Sequence, residues 1–149
     1  MKIRVTKEFR FDMGHALHGY DGLCKNIHGH SYHLFVTVIG EPITDISNKK
    51  LGMVIDFGDL KEIVNREIVD KFDHSLVLNE SQKEEIIKVE GSALFERYYL
   101  LPYQPTCENM IADFASRIKK HLPEDVKLFS LKMYETPTSY SEWYASDNS

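Results

Sequence analysis

Residues 3–39 read IRVTKEFRFDMGHALHGYDGLCKNIHGHSYHLFVTVI, and their spacing decides the fold. Over 3–13, Ile3, Val5, Phe9, Phe11 and Met13 share one parity, while Arg4, Thr6, Glu8, Arg10 and Asp12 hold the other. That alternation predicts a half-buried strand. Gly14, Gly19, Asp21 and Gly22 then mark a loop. A second strand, from about His30 to Ile39, is rich in Val, Phe, Tyr and Thr and stops at Gly40-Glu41-Pro42.

Beyond this hairpin the period changes. Leu60, Ile63, Val64, Glu67, Ile68 and Phe72 fall at helical spacing, which predicts a helix over 56–72 with Asp56 or Asp59 at its start. Pro105-Thr106 opens a second helix, Met110, Ile111, Phe114, Ile118 and Leu122 form its apolar stripe, and Pro123 follows its end. Residues 126–135 return to extended character with Phe129, Leu131 and Met133 on one parity. A turn at Thr136-Pro137-Thr138-Ser139 leads to a last aromatic strand over 140–145. Residues 80–104 have no decisive period and read as an inserted excursion. The expected order is ββααββ, in one α+β domain over 1–149.

Composition narrows the function. The chain has 149 residues, 42% hydrophobic and 28% charged, with a formal net charge of −5. An acidic domain of this size is not a dedicated nucleic-acid binder. Residues 1–8 hold no apolar stretch resembling a signal peptide, and no run approaches the roughly 18 residues of a membrane span. Cys24 and Cys107 are the only cysteines, so no disulfide framework is expected and the reducing cytoplasm is the expected compartment.

Five of the seven histidines lie between positions 15 and 33. In an extended backbone His28 and His30 face the same way, with Gly29 leaving room for close approach to an ion. His15 continues the parity of Phe9, Phe11 and Met13. When the two strands pair as an antiparallel hairpin, His15 meets His28 and His30 at one end. A lone histidine is most often a surface or core residue. Three placed by two strands at one point match a catalytic zinc site with an open position. His18, in the glycine-rich loop, and His33, of opposite parity, fall outside the set. Cys24, four residues before His28, is either an inert loop thiol or a general base activated by the nearby cation. Asp73-His74 is either a solvated helix end or a proton shuttle. Glu135 ends an apolar row, either as an exposed strand end or as an acceptor for a flat N–H pair on a heterocycle. Cys107, at the helix start, reads as structural.

Phe11-x-x-x-His15, Cys24-x-x-x-His28-Gly-His30, Gly52-Met53-Val54-Ile55-Asp56-Phe57, Asp73-His74 with Leu78-Asn79, Pro105-Thr106-Cys107-Glu108-Asn109 and Glu135-Thr136 occur in that order. Together they resemble the 6-pyruvoyltetrahydropterin synthase family, and within it the 6-carboxytetrahydropterin synthase branch of queuosine synthesis. The resemblance covers residues 9 to about 144. It implies the tunnelling fold, a four-stranded antiparallel sheet with two helices on one face, whose sheets join across subunits into a barrel within trimers and hexamers. It implies Zn²⁺ on His15, His28 and His30, Cys24 as proton-abstracting base, and His74 with Asp73 as its relay. Glu135, with Thr106 beside it, would anchor the pterin of 7,8-dihydroneopterin triphosphate. The three-residue gap between Cys24 and His28 resembles the carboxy-forming enzymes, which release acetaldehyde and triphosphate. A pyruvoyl-forming synthase and a non-catalytic pterin- or zinc-binding relative are the alternatives. The stretch from Asn79 to Pro105 is longer than the family usually has there.

Overall fold

Strands β1 (Ile3–His15) and β2 (His28–Gly40) pair antiparallel along their whole length, from Ile3 opposite Gly40 to His15 opposite His28. Directly opposed residues face the same side. Phe9, Phe11 and Met13 therefore share one face with Tyr32, Leu34, Val36 and Val38, and all of these are buried. The structure, a computed structural model, describes residues 1–149.

Two helices cover that face. The first, α1, begins at Phe57, where the Asp56 carboxylate accepts from the Gly58 N–H at 2.7 Å. It runs through an i→i+5 turn at Asn65–Val69 to Phe72 and buries Leu60, Ile63, Val64, Ile68 and Phe72. After the short helix α2 (Lys83–Ile87) comes α3 (Cys107–Lys119), capped by the Thr106 hydroxyl, which accepts from the Asn109 N–H at 3.2 Å. Met110, Ile111, Phe114 and Ile118 are buried as the periodicity requires. Phe114 meets the sheet at Phe11, 6.1 Å between ring centroids, and α1 at Phe72, 5.4 Å.

The sheet differs from the expected four antiparallel strands. It has six, in the order β4-β3-β1-β2-β5-β6. The four expected strands are contiguous within it: β5 (Lys127–Thr136) pairs with β2, and β6 (Ser139–Tyr144) with β5, both antiparallel. The additions are β3 (Ser75–Asn79), parallel to the end of β1, and β4 (Tyr98–Leu101), parallel to β3. At five and four residues they are too short for alternation to declare them. Residues 80–104 thus carry α2 and one of the two outer strands, β4.

One core residue also differs. A bulge opposite Thr37 and Val38 breaks the alternation of β5, so Leu128 joins Leu131 and Met133 in the core in place of Phe129. Phe129 lies on the other face, with the Arg4 guanidinium 3.7 Å from its ring centroid. No helix is long and apolar enough to cross a membrane.

The helices are also joined by charge. Glu67 of α1 lies 3.0 Å from His121 Nε2, just beyond α3, and within 4 Å of Arg66 and Lys71. Burial pushes this carboxyl up, but Arg66, His121 and Lys71 outweigh it and hold the net value below the usual 4.5. A carboxyl depressed on folding adds stability above its unfolded pKa and loses it as pH falls through the folded one. Glu67→Gln is expected to cost about 0.5–1 kcal/mol at pH 7 in urea denaturation, with the difference shrinking as pH falls below the unfolded carboxyl value.

Candidate metal centre and active site

At the end of the hairpin, the β1–β2 register brings three imidazoles together. His15 opposes His28, and Met13 opposes His30. Ligand atoms of His15, His28 and His30 all lie within 4.8 Å of one another. His15 is 1% exposed, whereas His28 and His30 are half-buried at the mouth.

Two backbone carbonyls set the protonation of the cluster. His15 Nδ1 lies 2.7 Å from the Pro105 carbonyl oxygen, and His28 Nδ1 lies 2.7 Å from that of Asn26. A carbonyl only accepts, so in the neutral rings each Nδ1 carries the proton and each Nε2 keeps its lone pair. Burial holds the His15 pKa down at about 4, against the pull of the Pro105 carbonyl, so this ring is neutral at pH 7. Burial also lowers His30, partly offset by Glu135.

His15 Nε2 and His28 Nε2 nevertheless face each other at 2.9 Å. Glu135 Oε1 is 3.6 Å from His15 Nε2 and 3.5 Å from His30 Nε2. Lone pairs and a carboxylate converging this closely repel unless a cation lies among them. The spacing suits zinc, whose nitrogen ligands at about 2.0–2.1 Å bring donor atoms within roughly 3.3 Å of each other. Carbonyls behind the ligands supply the orientation that metal-bound histidines require. The donor set fits a divalent, nitrogen-seeking ion.

Glu135 reaches the cluster through an irregularity. The β5–β6 register shifts between Tyr134 and Thr136, leaving Glu135 at a bulge that turns its carboxylate toward the imidazoles. It and His30 line a cleft of about 730 Å³ with Ser31, His33, Phe35 and Tyr134. Thr106 caps α3 beside Pro105, whose carbonyl holds His15.

Asp73 and His74 form a second group on the edge of the same strands. His74 Nδ1 is 3.0 Å from Asp73 Oδ2, Asp73 Oδ1 accepts from the Asp12 N–H at 2.9 Å, and the His74 N–H donates to the Asp12 carbonyl at 2.7 Å. Burial pushes the Asp73 carboxyl up, but the Asp12 N–H, His74 and Arg97 prevail and keep it low and ionised. His74 has φ 58°, a left-handed conformation that a β-carbon disfavours by about 1–2 kcal/mol. It lines a cavity of about 390 Å³ with His30, Asp12 and Ser31. Arg97, from residues 80–104, donates to the carbonyls of Asp70, Lys71 and Asp73 and so secures this turn.

Cys24 stands apart. It is exposed on the 3-10 turn Leu23–Lys25 and does not close on one point with the three histidines. Cys107 is buried, and its thiol donates to the Met133 carbonyl at 3.5 Å. Tyr32, which is not among the candidates named from the sequence, lies beneath the imidazoles and shares the parity of His28 and His30. The carbonyls of Asn26 and Pro105 left no signal in side-chain identity.

The family model described as 6-pyruvoyl tetrahydropterin synthase matches residues 4–146. The chain belongs to that family. Among its relatives, the 6-carboxy-5,6,7,8-tetrahydropterin synthase of Haemophilus influenzae is 37% identical over 94% of this chain and 97% of its own. That of Rickettsia typhi is 36% identical over 94% and 99%. A solved structure of an uncharacterized protein from Wolinella succinogenes superposes with a TM-score of 0.77 at 21% identity, covering 97% of this chain and 99% of the other. Caenorhabditis elegans 6-pyruvoyl tetrahydropterin synthase superposes at 0.66 with 23% identity, covering 97% and 96%. These superpositions show the shared fold.

If the three imidazoles hold an ion, His28→Ala is expected to abolish its retention while leaving the domain folded, because His28 is half-buried at a strand end and no core residue depends on it. Metal content by mass spectrometry and circular dichroism on one preparation check both halves.

Proposed function

We propose that this chain is a zinc-dependent lyase that converts 7,8-dihydroneopterin triphosphate and one water to 6-carboxy-5,6,7,8-tetrahydropterin, releasing acetaldehyde and triphosphate. The observation that carries the reading is the three-imidazole cluster with Glu135 beside it, in a chain whose relatives include 6-carboxy-5,6,7,8-tetrahydropterin synthases.

His15, His28 and His30 would hold the ion through their Nε2 atoms. Bound there, Zn²⁺ would supply a Lewis acid that holds the hydroxyls of the substrate side chain and lowers their pKa. Glu135 offers two anionic oxygens to the paired N–H donors of the pterin edge, with Thr106 alongside. Cys24 is the base that removes a proton from the side chain. Asp73 holds His74 by Nδ1, which leaves Nε2 free to exchange protons with the reacting side chain or with Cys24.

Assembly belongs to the same proposal. β6 and β4 are the outer strands of the sheet, with one edge each unpaired, and such edges invite further strands. We infer self-association of sheets into trimers and hexamers, with sites between subunits. That arrangement accounts for an exposed Cys24 within a single chain. The cytoplasm is the proposed compartment.

Product analysis tests the reaction. Zinc-loaded protein given dihydroneopterin triphosphate is expected to yield acetaldehyde and triphosphate together. Triphosphate without acetaldehyde would move the assignment to a pyruvoyl-forming synthase, and unchanged substrate would move it to a binding protein. Cys24→Ala is expected to keep its zinc and lose turnover by about 10² to 10⁴, the usual contribution of a positioned base. A Cys24→Ala protein that has lost its metal would make Cys24 a zinc ligand instead.

A further inference from the structure

Tyr32 is fully buried, and its hydroxyl has no hydrogen-bond partner. The only other such buried side-chain atom is Gln82 Oε1, far from the imidazoles in the chain. A buried hydroxyl without a partner destabilises the fold, and phenylalanine would occupy the same space without that penalty. The ring stacks on Phe11 at 5.1 Å and meets His30 and His15 edge-on at 5.8 and 6.4 Å. Packing therefore explains the ring and leaves the hydroxyl unexplained.

The carboxylate at this end of the sheet is Glu135, whose Oε1 lies 3.6 and 3.5 Å from His15 and His30, the two imidazoles that the Tyr32 ring meets edge-on. A tyrosine hydroxyl is protonated at neutral pH, so the oxygen can act as a donor. Glu135 now leans on His15 Nε2 and His30 Nε2, the same atoms a metal would use. Once those nitrogens are engaged, the carboxylate needs another donor. Its place at a bulge leaves it free to shift.

We propose that Tyr32 is a positioning residue for Glu135: its O–H donates to the carboxylate and holds the outer oxygens toward the N–H edge of a bound pterin. The proposal rests on the reading of Glu135 as the pterin anchor. Tyr32 touches neither substrate nor metal.

The test uses zinc-loaded wild type, Tyr32→Phe, Glu135→Gln and the double variant, with zinc content, thermal midpoint and neopterin affinity by fluorescence titration. Tyr32→Phe is expected to keep its zinc, melt at or above the wild-type temperature and bind neopterin about tenfold more weakly, the scale of one hydrogen bond to a charged group. With dihydroneopterin triphosphate, KM is expected to rise more than kcat falls. In the Glu135→Gln background, Tyr32→Phe is expected to add no further loss, because both changes remove one interaction. Wild-type affinity in Tyr32→Phe, as a hydroxyl served by an ordered water would give, overturns the proposal and leaves the role of Glu135 intact. So do losses that multiply in the double variant. A wild-type protein that does not bind neopterin overturns the pterin reading of Glu135, and this inference with it.

Discussion

The antiparallel register of β1 on β2 is the constraint from which the site follows. With His15 opposite His28 and Met13 opposite His30, three imidazoles emerge on the helix-covered face at one end of the hairpin. A slip of one residue would send either strand's whole row to the opposite face. The register is held by the same apolar rows that make the core, since Phe11 opposes and stacks on Tyr32 two positions below the ligands. Core packing and ligand geometry are thus one decision. The candidate metal centre needs no loop of its own.

Burial then acts in two directions at this end. It strips His15 of its charge, which suits a metal ligand, and it puts acceptor atoms together that repel in the absence of a cation. Backbone carbonyls of Pro105 and Asn26 keep both rings in one tautomer, so the strain cannot relax by exchanging ring protons. The loop before β2 and the turn before α3 are therefore parts of the site, although neither contributes a metal-binding side chain.

How much of this could be read beforehand depended on the length of each element. Thirteen-residue strands declare a parity, and it carried His15, His28 and His30 to a common point. The stripes of α1 and α3 were long enough to read the same way. β3 and β4 were not: a few apolar residues against an existing edge carry no period, and what makes them strands is the exposed end of β1. Phe129 was misplaced because a bulge opposite Thr37 and Val38 breaks the alternation from which its burial was inferred. Glu135 was picked out by that same alternation, yet the shift in register at its own position is what turns it to the imidazoles. The Asp73–His74 pair was visible as a dipeptide, but its hydrogen bonds to Asp12, 61 residues away, were not.

The left-handed backbone at His74 has a consequence for anyone redesigning this protein. Glycine and asparagine accept that conformation with least cost, so a search for tighter folding would replace His74 early. Either substitution would relax the turn between α1 and β3 and remove its one imidazole. At this position thermal robustness and the imidazole that the proposed relay needs pull in opposite directions, and selection for heat resistance alone would leave a sturdier protein without that side chain.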